Sequence, residues 1–197
     1  MLGVPGSAPA RSAADATVPV VSRVVFTAVE RFDPACGERW DGFVTWSGLT
    51  HLREAVTLDG SLCPSAFREL TTEDWNHNVH EDYKTDLFRD LDHVVKATAG
   101  RRVNVLALVE EPSAADVVAF VDPRFVFSGF DLVDSRGGIS ALLNCGGFDK
   151  AFVPADLSEC GLVTDYAKAR DVQDRLRTEH PEEHHARCAL WAIWRKS

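Results

Sequence analysis

GFDLVDSRGGISALLNCGGFDKAF, residues 129–152, decides the reading of the fold. Phe125 to Asp134, rich in Phe and Val, reads as a strand, and Ile139 to Leu143 as its partner. Between them Ser135 to Gly138 supplies the glycines that a bulged hairpin turn needs, because glycine takes positive φ at little cost. Two strands joined by so short a turn must be antiparallel. Asn144 and Cys145 follow, directly before a second glycine turn.

Working outward, Ser22 to Glu30 is rich in β-branched residues and reads as a first strand. Asp33-Pro34 and Cys36-Gly37 read as a turn, with Gly42 to Trp46 (GFVTW) as the returning strand. Leu49, Leu52 and Val56 carry the spacing of a short helix, and Thr71 to Tyr83 has no clean period and reads as a long polar loop. Thr85 is a suitable N-cap for a helix whose stripe is Leu87, Phe88, Leu91, Val94 and Val95, ending at Gly100. Val103 to Val109 is apolar on both faces, as an inner strand must be. Val117 to Val121 reads as a weaker strand or a helix end, and a turn of helix follows Pro154. Thr164 caps a second main helix with Tyr166, Ala169, Val172 and Leu176 on its buried side. Cys188 to Arg195 (CALWAIWR) wants burial on both faces and is placed centrally.

The expected class is α+β. It has a mostly antiparallel sheet of six or seven strands, two main helices and a central C-terminal strand. Residues 1–17, poor in apolar period, read as a mobile tail, and 18–197 as one domain.

Composition narrows the function classes. The formal net charge is −9, and residues 69–92 hold eight acids against two bases. No basic stripe accompanies them, which argues against nucleic acid and favours a cationic partner such as a basic protein. No apolar run has the length of a membrane span, and no membrane role is expected. Five cysteines at wide spacing, without CxxC and without a secretory signal, read as reduced thiols of a cytoplasmic protein. The preference for Arg over Lys is that of a GC-rich, bacterial coding sequence.

Three constellations merit a chemical reading, each beside a plain structural one. Asn144 and Cys145 could join a thiol to a nest of glycine N–H groups, or Cys145 could be a sealed core thiol with Asn144 turned to a polar pocket. The segment Glu73, Asp74, Trp75, His77, His80, Glu81, Asp82, Tyr83 could form a binding surface, its acids and rings interleaved, or a solvated loop. His77 and His80 there, and His184 and His185 near the end, are candidate ligands for zinc or another transition metal; no cofactor is required by any motif. The favoured expectation is an acidic protein-binding module of inhibitor or immunity type. The alternatives are a small hydrolase or transferase working through Asn144, Cys145, His80 or a histidine-held metal, and a structural subunit of a homo-oligomer.

Overall fold

The computed structural model describes residues 23–67, 69–79, 85–134, 138–144, 151–179, 181–182 and 184–197. The expected tail, residues 1–17, lies outside the described residues. In chain order the elements are β1 (Val25–Glu30), α1 (Glu38–Ser47), α2 (Thr72–His77), α3 (Leu91–Ala97), β2 (Val103–Glu110), α4 (Ala114–Ala119), β3 (Phe125–Val133), α5 (Tyr166–Glu179) and β4 (Ala189–Lys196). Short 3₁₀ turns precede α1 at Pro34–Cys36, precede α5 at Pro154–Asp156, and precede β4 at His184–Arg187.

The class is α+β, but the sheet of six or seven strands is corrected. Among the described residues there is a single four-stranded antiparallel sheet, ordered β1-β2-β4-β3, with five α-helices around it. The C-terminal strand is one of the two inner strands: Ala192 is paired with Val109 of β2 and Phe130 of β3. All residues from Ala189 to Trp194 are buried, so both faces of β4 are covered.

Each expected strand that is missing has a local reason. Gly42 to Trp46 lies inside α1, because Trp40, Phe43 and Ser47 recur at three and four residues and pack the helix on the Phe32 ring. Gly48, in the left-handed region, ends that helix by donating its N–H to the Val44 carbonyl. Val117 falls in α4, whose Ser113 and Asp116 form a reciprocal capping box. Ile139 to Leu143 makes only the bridge Ser140 to Val133 before the chain turns at 141–143.

The helices differ as well. Leu49 to Val56 is irregular, and Ala55 bridges Phe32 instead. The helix expected from Thr85 begins at Leu91, with Asp90 as N-cap. Phe88 is held extended because its N–H and carbonyl exchange hydrogen bonds with those of Phe26 on the outer edge of β1.

Both sheet edges are therefore occupied by irregular chain. Residues 64–66 and Phe88 cover β1, and residues 139–141 and Val163 cover β3. An edge so covered offers few free N–H and C=O groups to a second copy of the chain.

Most of the core is one cluster around β2, β4, α1 and α5; a second, smaller one joins Ala28, Ala66, Phe67, Phe88 and Val94 under α3. Gly129 marks a close approach of backbone to backbone. It sits at a bulge in β3 with φ +138°, and a Cβ there would stand 2.7 Å from Leu162 Cβ and 2.9 Å from the Val163 carbonyl oxygen. Gly129→Ala should cost about 3 kcal/mol or more through overpacking and backbone strain. Gly42→Ala, in open space on α1, should instead stabilise by about 0.5–1 kcal/mol. Urea denaturation of the two variants beside the parent checks both signs.

Candidate functional site

The site is built on the small core cluster. Phe26 on β1 pins Phe88, and the Phe67 and Phe88 rings lie 4.4 Å apart between centroids. His93, in the first turn of α3, packs against both rings. From the other side comes α2, which begins where Thr71 and Asp74 close a capping box: the Thr71 N–H and hydroxyl donate to Asp74 Oδ2, and the Asp74 N–H donates to Thr71 Oγ1. The remaining oxygen, Asp74 Oδ1, lies 2.8 Å from His93 Nε2. Both residues are 7 % exposed.

Burial pushes the Asp74 carboxyl up, but the Thr71 donors and His93 outweigh it and hold it below its ordinary range. An ionised carboxylate only accepts, so His93 presents Nε2–H to it and carries the lone pair of its neutral form on Nδ1. The His77 ring stacks on His93 with centroids 4.4 Å apart and planes 14° from parallel. One donor atom each of Glu73, His77 and His93 lies within 4.8 Å of the others, so this grouping could hold a metal ion. A cavity of about 340 Å³ opens beside it, lined by Phe67, Glu69, Thr71, Glu73, Asp74, His93, Lys96 and Arg101.

A second, shallower cleft of about 740 Å³ lies beyond Phe67, lined by Gly60, Pro64, Ser65, Phe67, Leu70, Trp75 and Asp86. Trp75 is 53 % exposed at its mouth. Asp86 is half-buried; Ser65 Oγ donates to its Oδ2 and Asn78 Nδ2 to its Oδ1. Burial raises the Asp86 carboxyl despite these two bonds.

Of the residues singled out from the sequence, Glu73, Asp74, Trp75 and His77 come together on α2. They do so as a helix, where a loop was expected; Asp74 faces inward and Trp75 outward. His80, Glu81, Asp82, Tyr83 and Cys145, together with the side chain of His184, lie outside the described residues. His185 stands in the 3₁₀ turn before β4, apart from the Glu73–His77–His93 grouping. Asn144 is turned to a polar network: its Nδ2 donates to Asp59 Oδ2 and to Ser61 Oγ, each at 2.8 Å.

That network is built on two buried carboxylates. Asp59 accepts from the Ser61 N–H and hydroxyl and from the Ser140 N–H. Asp131 accepts from Thr57 Oγ1 at 2.5 Å, from Ser140 Oγ and from the Leu132 N–H. The four described cysteines are free thiols; burial pushes Cys63, Cys160 and Cys188 up, the last to about 12, so none of these three is an activated nucleophile. Comparison with protein-family models, with curated proteins and with solved structures finds no match.

Sequence reasoning missed His93 and Asp86. His93 is hidden within an apolar helical stripe and shows its role only when α2 crosses it. The start of α2 was legible, since Thr71-Thr72-Glu73-Asp74 has the spacing of a capping box.

Asp131 yields a pH dependence. Burial, with the charge of Asp59 added, raises its carboxyl from 3.8 to about 6 against the pull of Thr57 and Ser140. A folded-state value above the unfolded one means stability that is fully present below 3.8 and lost as pH rises through about 6. Asp131→Asn lacks that titration. Between pH 4 and pH 8 its stability relative to the parent should therefore improve, on the order of 3 kcal/mol. Paired denaturation curves at the two pH values check this, and a pH-independent difference would refute it.

Proposed function

We propose that the chain is an acidic binding module of inhibitor or immunity type, taking a basic segment of a protein partner in the cleft between Trp75 and Asp86. The observation that carries this is Asp86: a carboxylate drawn out of water at a cleft whose described partners, Ser65 and Asn78, are neutral. Such a group gains most from an arriving cation, because the cation restores the solvation it has lost. Trp75, Leu70, Phe67 and Pro64 supply an apolar wall for the methylene stem of an arginine or lysine. The net charge of −9 adds long-range attraction and speeds encounter. Within this reading nucleic acid and membrane are not partners. Among the described residues no helix is long and apolar enough to cross a membrane. The free thiols suit the cytoplasm, which is part of the proposal.

A second reading, a small hydrolase or transferase, is favoured by one observation: the Asp74–His93 pair beside a polar cavity has the form of an oriented general base. Zinc or another transition metal is the cofactor that reading takes.

Titration of the parent with tetra-arginine and tetra-lysine peptides at 25 and 200 mM salt tests the first reading. Binding should weaken with salt, and Trp75→Ala and Asp86→Asn should each lower affinity by roughly tenfold or more. No binding by either peptide, or binding indifferent to both substitutions, would remove the reading.

A further inference from the structure

We infer that Glu73, His77 and His93 form a binding site for a divalent transition metal, with zinc as the best-matched ion, and that Lys96 occupies one of its ligands in the metal-free state. The inference concerns metal binding alone and does not rest on either functional reading.

The backbone supplies the first half of the site. Glu73 and His77 are four residues apart on α2, so both side chains lie on one face of that helix. His93 comes from α3, held against α2 by its contact with Asp74 and its ring stack with His77. One donor atom of each already falls within 4.8 Å of the others. Around a tetrahedral zinc ion, with bonds of about 2.0–2.2 Å, donors stand roughly 3.4 Å apart, so the three must close by about an ångström. Two of them are free to do so: the Glu73 and His77 side chains are 61 % and 39 % exposed, while His93 is the fixed member.

Asp74 supplies the second half. A metal-ligating histidine commonly gives its other ring N–H to a carboxylate, which fixes its tautomer and raises its basicity. His93 gives Nε2–H to Asp74 at 2.8 Å, and Asp74 is itself locked by the capping box of α2. The lone pair left on Nδ1 is the one a metal would use. Two imidazoles and one carboxylate suit zinc by ligand type. Three protein ligands leave a coordination position, and the cavity of about 340 Å³ lined by Glu73, Asp74 and His93 is where a water or a small anion would enter it.

Two features set the metal-free state. Imidazole lone pairs lie in the ring plane, so two rings stacked 14° from parallel cannot both aim at one ion. His77 must therefore leave its stack on His93, and its contact with Asp90 Oδ2 at 3.6 Å, when metal arrives. Lys96 Nζ stands 3.2 Å from Glu73 Oε1 and must leave too, since an ammonium and a dication compete for one carboxylate. Lys96 is an exposed side chain and swings away at little cost in packing.

Calorimetric titration of the full chain, without an affinity tag, with Zn²⁺ alone tests the site. Expected are one equivalent bound, affinity lowered at least tenfold by Glu73→Gln and by His77→Ala, and affinity raised severalfold by Lys96→Gln. These three side chains are exposed, so each variant should fold; the parent's circular dichroism spectrum is the control. Co²⁺ gives a second readout, visible absorption bands that His77→Ala should abolish. No zinc bound by the parent would overturn the inference. So would affinity unchanged in Glu73→Gln and His77→Ala, or affinity not raised in Lys96→Gln. Loss of the bound zinc in a His184→Ala, His185→Ala double variant would also overturn it, by moving the metal to the other histidine cluster.

Discussion

Glu54 stands between three strands and a stretch of irregular chain, with both of its oxygens taken. Arg31, just past β1, donates to Oε1 and Oε2; Asn104 of β2 donates to Oε1; Arg195 of β4 donates to Oε2. Removing a partner leaves the buried Glu54 carboxylate without compensation, although the two arginines reach solvent. The same device recurs at other places in the irregular chain. Asp59 and Asp131 tie the loops at 57–61 and 140–144 to β3, and Asp86 ties Ser65 to Asn78. Glu111, bent into positive φ, gathers Arg170, Gln173, Arg177 and the Leu190 N–H. A four-stranded sheet is a small frame for a chain of 197 residues, and buried or half-buried carboxylates help hold the irregular chain around it.

This changes what the acidity of the chain means. Residues 69–92 carry eight of the acids, yet Asp74 and Asp86 do not belong to a solvated face. Asp74 is spent on a helix cap and a histidine. Asp86 is the inner wall of a cleft. What remains outside, with Glu73 and Trp75 projecting from α2, is a smaller surface with a defined shape. Phe67 lines both the histidine-bearing cavity and the tryptophan-bearing cleft.

Much of the fold follows from local chemistry. β1, β2 and β4 were legible because β-branched and aromatic residues run together there, and α5 because its apolar stripe has a helical period. The errors cluster where two periods compete. Gly42 to Trp46 satisfies strand propensity, but Trp40, Phe43 and Ser47 satisfy the helix, and contact with Phe32 selects the second. Leu87 and Phe88 extend the stripe of α3 on paper. In the folded chain Phe88 gains two hydrogen bonds on the edge of β1 that no helix could provide at that place.

By itself the sequence determined the α+β class, an inner C-terminal strand that had to be buried on both faces, and the net charge of −9. Those properties are sums over neighbouring residues and need no partner distant in the chain. Tertiary structure alone decided which acids are inside, and it alone brought His93 to Asp74 and His77. A hydrogen bond across 19 residues depends on how α2 crosses α3, and that crossing is set by Phe67 and Phe88 packing against a strand more than 35 residues earlier in the chain. Spacing along a chain carries no record of such a meeting, because the forces that produce it act between surfaces that exist only once the sheet has formed.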